Sequence, residues 1–295
     1  MSDLPGEFLT TRQLAELLHI KERKVYDLAA AGEVPCSRVT GKLLFERRQI
    51  EDWMARHSSG VTPAPVNRHS RVFLGSHDPL LSWALRTSGA DLATHFEGSI
   101  DGLDRFGRGE GLAAAVHIFE PASNGWNTDS IRARFERAPV ALLEFAWRER
   151  GLIVRAGEES RIPDITALRG RRVAPRHDTA ASQVLLRHLM EAEGLALADV
   201  EWAEQGGTES DIAIAIVEGK ADVAFGLRSM AQQLRLGFVP RVRERFDLLV
   251  DRAAWFDPPL QRLWSFCQSD AFRTKARDLG GYDVTGLGTV HFNGA

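Results

Sequence analysis

The 295 residues carry 37 Lys and Arg against 40 Asp and Glu, a formal charge of −3. This is an ordinary globular composition with room for more than one domain, and its overall charge does not announce a nucleic-acid binder. Cys36 and Cys267 lack CxxC spacing, which excludes a disulfide framework and a zinc site and fits a reducing compartment. The polar N-terminus and the lack of any apolar run near the ~20 residues of a membrane span lead to the expectation of a cytoplasmic protein.

In chain order, Thr10 or Thr11 can cap a first helix with Leu14, Leu17 and Leu18 on one face. A tight turn at His19-Ile20 leads to a second helix with Val25, Leu28 and Ala29 inward and Lys21, Arg23 and Lys24 outward. That is helix-turn-helix patterning, with a basic start on the second helix where bases and phosphates would be met. Cys36–Val39 and Leu43–Phe45 read as two strands of a wing turning at Gly41. Glu46–Met54 closes the unit as a third helix anchored by Ile50 and Trp53. Residues 1–57 hold nine basic and nine acidic side chains, so DNA contact must come from placement. The DNA-facing set expected is Thr11, Arg12, Lys21, Arg23, Lys24 and Tyr26, with Arg38 and Lys42 on the wing.

Residues 57–70 have no periodicity and read as a linker between a DNA-binding domain at 1–56 and a second domain at 71–295. Beyond the linker, strand-like runs at 71–75, 92–96, 113–119, 140–146 and 151–155 alternate with helical runs at 79–87, 100–108 and 127–137. Strands at 172–174, 200–203 and 221–225 and helices at 180–192 and 210–217 follow, giving an α/β fold. Glu144–Val154 reads as a first crossover between lobes and Val239–Val250 as the return. Lobe I is then expected at about 71–145 and 250–295 and lobe II at about 152–245, with a ligand cleft between them.

These segments resemble a family of cytoplasmic regulators that joins an excisionase/MerR-like helix-turn-helix to a domain similar to the periplasmic molybdate-binding protein. On the DNA side the resemblance rests on residues 9–18, Lys24-Val25-Tyr26 and Gly32-Glu33-Val34-Pro35. On the sensor side it rests on Gly75-Ser76-His77-Asp78-Pro79, residues 98–103, Arg148–Val154, residues 219–226, 237–240 and 244–248. It implies a two-lobed type-2 periplasmic-binding-protein-like fold used as an effector sensor, with molybdate, tungstate or another small oxyanion as ligand.

The residues modify that implication. Helix starts at Gly75-Ser76, Gly98-Ser99 and Thr179–Ser182 could converge on an anion. The expected ligand residues are Ser76, His77, Ser99, Arg176, Thr179, Ala180, Ala181 and Ser182, each Ser or Thr having N-capping as its plainer role. Relatives carry a Gly-Ser-Gly-Thr-Arg type loop where this chain reads Arg176-His177-Asp178-Thr179-Ala180-Ala181-Ser182-Gln183, and Glu209 and Asp211 stand where relatives have Thr-His. Losing a cation and gaining carboxylates weakens the case for a dianion and opens it to a small organic anion, a polar metabolite or a zwitterion. His77, His95, His117 and His177 lack metal-ligand spacing, Glu120 and Asp222 have nothing to place them together, and no hydrolase or phosphate-loop motif occurs. No metal, no cofactor and no catalysis is expected. The leading reading is a homodimeric, effector-controlled regulator of double-stranded operator DNA, dimerised through its sensor domains and away from any membrane. The rivals are a cytoplasmic solute-binding module without DNA coupling and an enzyme on the same two-lobed scaffold.

Overall fold

The computed structural model describes residues 8–39, 41–56 and 70–295 and divides the chain into two compact units, Met1–Val66 and Asn67–Ala295. The predicted linker at 57–70 falls, but for Ser70, outside the described residues.

In the first unit, β1 (Phe8–Thr10), α1 (Thr11–Leu17), α2 (Glu22–Ala30), β2 (Ser37–Val39), β3 (Lys42–Glu46) and α3 (Arg47–Arg56) follow in order. Thr10 is the cap of α1. Its hydroxyl accepts from the Gln13 N–H, and the Gln13 side chain accepts from the Thr10 N–H at 2.9 Å, so two orphan donors are met reciprocally. The helix-turn-helix turn is closed by His19 in the left-handed region, φ 51°. Gly41, φ 77°, makes the wing turn that returns β2 onto β3. A strand not anticipated, β1, pairs antiparallel with β3 and sets Leu9 opposite Phe45, both buried. These two close over Leu14, Val25, Ala29 and Ile50 as one small core.

The second unit holds one long mixed sheet. Its strands are β4 (Val72–Gly75), β5 (Ala93–His95), β6 (Ala113–Val116), β9 (Val140–Val154), β10 (Arg172–Ala174), β11 (Glu201–Trp202), β12 (Val223–Leu227) and β13 (Gly237–Asp251), in spatial order β11-β10-β12-β9-β13-β6-β4-β5. A separate ribbon, β7 (Phe119–Glu120) with β8 (Gly125–Trp126), lies between β6 and β9 in sequence. The short β14 (Tyr282–Asp283) and β15 (Val290–Asn293) pair with β9. The helices are α4 (Pro79–Thr87), α5 (Ser99–Gly107), α6 (Thr128–Phe135), α7 (Ala181–Ala192), α8 (Glu209–Val217), α9 (Arg228–Gln233), α10 (Pro258–Cys267) and α11 (Asp270–Leu279).

Strand alternation builds two layers of core on each half of this sheet. In lobe I, Phe73, Ala113, Ala115, Leu248 and Val250 face α4, α10 and α11, while Leu74, Ala114, Val116 and Leu249 face α5 and α6. In lobe II, Leu152, Val154, Val173 and Phe225 face α7, and Ile153, Ala174 and Ala224 face α8 and α9. Each buried Phe, Leu or Ile contributes roughly 2–3 kcal/mol of transfer free energy, so both lobes hold cores of their own.

The lobes share β9 and β13. β13 joins β6 through Asp247–Val250, and β9 joins β12 through Arg150–Ile153, so each long strand serves one lobe at one end and the other lobe at the other. The sequence reads two strands at 140–146 and 151–155; the structure has one continuous strand, because the connection is itself hydrogen-bonded to β13. Irregularities at Pro240/Val242 and Phe246/Asp247 bracket the crossing stretch. The chain finishes in lobe I, where Leu260, Leu263 and Phe272 pack with Phe73 and Leu80, on helices the sequence reading leaves unassigned.

Candidate functional site

The first unit presents its basic residues outward. Lys21, Arg23 and Lys24 are exposed at the start of α2, Tyr26 is 52% exposed, and Arg38 and Lys42 are exposed on the wing. Val25 and Ala29, one turn apart, fix that orientation by packing into the core. Two members of the expected set differ. Thr11 is buried at the head of α1 and is not available to a phosphate. Arg12 is exposed but pairs with Glu16 at 3.1 Å, one turn along α1.

In the second unit, Gly75 ends β4 with φ 101°, and a Cβ there would lie 2.2 Å from the Ala115 carbonyl oxygen. A Cβ on Gly102 would lie 2.3 Å from Gly75 Cα, so both glycines are needed to seat α5 against the strand end. This approach brings Ser76 and Ser99 together, their hydroxyl oxygens 2.8 Å apart, and Ser99 also accepts from the His117 N–H at 3.1 Å. The pair uses one hydroxyl hydrogen between two serines and leaves the other. Neither serine is a helix cap: Asp78 caps α4 by accepting from the Leu81 N–H at 2.8 Å, with Pro79 in the first turn, and Gly98 stands at the cap of α5. Next to Ser76, His77 is half-buried against Phe96, ring centroids 5.9 Å apart, and its Nδ1 has no hydrogen-bond partner. Burial lowers its pKa, opposed by Asp78 and Glu209 and assisted by Arg176 and Arg148. Glu209 and Arg176 belong to lobe II, so His77 looks across at that lobe.

The facing wall is the loop from β10 to α7. The Arg176 N–H donates to the Gln183 side chain at 2.9 Å, which pins the loop against the first turn of α7. Its guanidinium donates to the Gly206 carbonyl at 3.1 Å, and its Nε is buried without a partner. Burial lowers the Arg176 pKa, Glu209 raises it, Arg150 lowers it, and Asp211 and Glu97 raise it. Ala180 caps α7 with no side chain to satisfy the first N–H groups, so the glycine-free loop still leaves an open helix start. Thr179 is exposed, whereas Ala180, Ala181 and Ser182 are buried. His177 turns aside to Gln205 at 2.6 Å, and His95 lies 3.5 Å from Asp101, so the four histidines do not gather. Glu120 accepts from the Asp129 and Ser130 N–H groups at the start of α6, while Asp222 pairs with Arg172 at 2.6 Å in the other lobe.

Behind both walls runs a network that sequence reasoning passes over. Arg148 and Arg150, two apart on β9 and so on one face, are 1% and 0% exposed. Arg148 donates to Asp78 at 2.9 Å and to Glu244, which stands directly opposite it on β13, and lies 4.0 Å over the Phe246 ring. Arg150 donates to Glu244 at 2.9 Å and to Glu209, the first residue of α8, at 2.8 Å. Tyr282 donates to Asp78 at 2.8 Å and His117 lies 3.2 Å from Glu244. Burial works against the Glu244 carboxylate, but Arg148, Arg150 and His117 hold it well below the usual range. Glu209, counted from sequence only as an added carboxylate, is bound to Arg150 through both oxygens. The available signal was Arg148-Glu149-Arg150 inside an otherwise apolar strand, a pattern that demands either solvent or buried partners.

Comparison with known proteins agrees with both units. The PBP superfamily domain matches residues 82–268, and a helix-turn-helix domain of the excisionase-like kind matches residues 8–58. An uncharacterized protein of Bacillus subtilis strain 168, YvgK, is 21% identical over 299 residues, spanning 95% of this chain and 96% of its own. An uncharacterized Clostridium pasteurianum protein from the 5′ region of a 2Fe-2S ferredoxin gene is 29% identical over 80 residues, 27% of this chain and 71% of its own. Among solved structures, a Clostridium perfringens protein assigned as a phosphate ABC transporter substrate-binding protein, with phosphate bound, superposes with a TM-score of 0.52 at 11% identity. It covers 72% of this chain and 98% of its own, a likeness of fold alone.

Proposed function

The chain belongs to the PBP superfamily and carries a helix-turn-helix domain ahead of the PBP-like one, and on that premise we propose that it is an effector-controlled transcriptional regulator. Lys21, Arg23, Lys24, Tyr26, Arg38 and Lys42 meet operator DNA. Ser76, His77 and Ser99 of lobe I and Arg176, Thr179, Ala180, Ala181 and Ser182 of lobe II bind a small polar effector, and its occupancy changes operator affinity. The protein works in the compartment that holds the DNA, the cytoplasm, and it is not an enzyme.

The observation that carries this reading is the pairing of an exposed basic α2 and wing with lobe walls that hold the buried, unpartnered Nδ1 of His77 and Nε of Arg176. Both walls offer polar atoms that protein does not satisfy, which is what a ligand site requires. A homodimer through the second unit is part of the proposal. An apolar groove lined by Leu143, Trp255, Trp264 and Val290, beside Phe256 at 78% exposure, suits a second copy. Phe256→Asp is expected to shift the sedimenting species toward monomer.

The test is fluorescence anisotropy of the full chain against a selected DNA pool. A sequence preference is expected, with affinity falling steeply with salt, and Arg23→Ala should reduce the salt slope by about one. Binding without any sequence preference would falsify the regulator reading.

A further inference from the structure

We propose that the effector is a small zwitterion, one carboxylate and one ammonium, held with its carboxylate on Arg176 and the open start of α7 and its ammonium toward Glu209 and Glu97. This rests on the reading of the same site as an effector site.

Charge balance decides the ligand class. Arg148 and Arg150 are the cations buried deepest behind the walls, and an oxyanion would be expected to seek them. Both are already engaged: Asp78 and Glu244 take Arg148, while Glu244 and Glu209 take Arg150. The network holds one carboxylate more than it has guanidiniums, and it is sealed from water, with Asp78, Arg150 and Glu244 at 0% exposure. The N-terminus of α4, an anion seat in principle, is filled by the Asp78 carboxylate of its own chain. Burial works against a charge on both His77 and His117. Arg148 keeps a buried Nε without a partner, as Arg176 does, but of the three arginines only Arg176 has no carboxylate against it, and its charge matches the surplus carboxylate. A dianion entering here would leave two negative charges uncompensated beside buried acids, whereas a zwitterion leaves none.

The geometry supplies a seat for each end. Arg176 has a buried, unpartnered Nε, and its loop is tied by Gln183 to the first turn of α7, where no side chain caps the helix. Glu209, Asp211 and Glu97 act electrostatically on Arg176, so acids of both lobes lie within electrostatic reach of the cation. The spare hydroxyl hydrogen of Ser76 and Ser99 and the free His77 Nδ1 are left for a neutral polar group on the ligand.

The experiment is calorimetric titration of the full chain with three sets of probes: glycine, L-serine, L-glutamine and L-arginine; the half-molecules propionate, lactate and ethanolamine; and molybdate, tungstate, sulfate and phosphate. At least one zwitterion is expected to bind saturably, its half-molecules about tenfold to a hundredfold more weakly, from the loss of one charge-assisted contact. Arg176→Gln should cost a similar factor, and Glu97→Gln, on an exposed residue, should weaken the zwitterion without touching the fold. Glu209→Gln removes a built-in counter-charge and should move preference toward propionate and lactate. A dianion binding more tightly than every zwitterion, no saturable binding by any zwitterion, or zwitterion binding indifferent to Arg176→Gln overturns the proposal. Operator anisotropy on the same samples separates the two readings. Dianion binding that alters DNA affinity sinks the ligand class alone. Zwitterion binding that leaves DNA affinity unchanged sinks the regulator reading alone.

Discussion

Arg148 and Arg150 sit in the strand that joins the lobes, Arg176 in the loop from β10 to α7, and the fold treats them differently. The first two are sealed from solvent and share three carboxylates among them, with further support from Tyr282 and His117. Arg176 is half-buried and bonded to one backbone carbonyl, with no carboxylate against it; its Nε lacks a partner, as does that of Arg148. Buried charge held against opposite charge gives directional rigidity, whereas buried charge without a counter-ion costs stability and is retained where a ligand can supply one. On the proposed reading, the strand that joins the lobes is structural and the wall is receptive. Substitutions in each should give opposite signatures, large in stability for the strand and large in binding for the wall.

The largest effect is expected at Glu244, which both arginines share. Glu244→Leu leaves two buried guanidiniums short of their counter-ion, and breaking such a pair by removing one side costs about 3–5 kcal/mol. Urea denaturation of the second unit should show this as a marked fall in midpoint. A loss below about 1 kcal/mol would mean that the strand tolerates free charge and that the contrast with the wall is false.

Asp247, three residues along β13, is an intermediate case. It accepts from Asn127 at 2.7 Å and from Arg245 at 2.9 Å, yet burial pushes its pKa up to about 6 against both. The raised value means that the folded state favours the neutral acid. Its contribution to stability is complete below the unfolded pKa near 3.8 and is lost as pH rises through about 6. Unfolding free energy should therefore drop by roughly 2.4 kcal/mol between pH 4 and pH 7 relative to Asp247→Asn, which lacks that titration. Glu209 and Glu244, held low by Arg150 and Arg148, act in the other sense and only toward acid, where their stabilisation is lost on protonation. A pH profile of the variant parallel to that of the parent chain would contradict the assignment.

How much of this contrast is legible in the sequence depends on the range of the interaction. The helix-turn-helix unit could be read almost residue by residue, because its signals are local: the Thr10–Gln13 box, the spacing of Leu14, Val25 and Ala29, and the turn at Gly41. Its missed strand, β1, becomes a strand only by pairing with β3 more than thirty residues later. The α/β alternation of the second unit was equally visible, but the continuity of β9 was not, since charged residues interrupt its apolar run just where the lobes meet. The Ser76–Ser99 contact spans 23 positions, and the Asp78–Arg148 and Arg150–Glu209 pairs span 70 and 59. No periodicity encodes such distances. Arg176 was named because a family loop pointed to it, whereas the pairing of Glu209 with Arg150 was not foreseen because the two lie on different elements.

Ser99 tests the edge of the receptive wall. Its hydroxyl oxygen satisfies the buried His117 N–H while holding Ser76. Ser99→Ala strands that N–H and should cost about 1–3 kcal/mol, measurable by thermal or urea unfolding. A cost near zero would place Ser99 wholly with the ligand-facing groups and leave the His117 amide to another partner.

The smallest change in stability is expected at the residue with the largest stake in binding. Arg176→Gln deletes a cation that burial already disfavours and that no carboxylate contacts directly. The hydrogen bond from its backbone N–H to Gln183 does not involve the side chain, so the loop stays tied to α7. The loss of one bond to the Gly206 carbonyl and the relief of desolvating a guanidinium should nearly cancel, within about 0.5 kcal/mol in either direction. Stability unchanged together with ligand affinity lost is the signature of a side chain held ready for something outside the protein. A fall comparable to that of Glu244→Leu would instead make Arg176 one more member of the buried network, and the wall would have no cation of its own to offer.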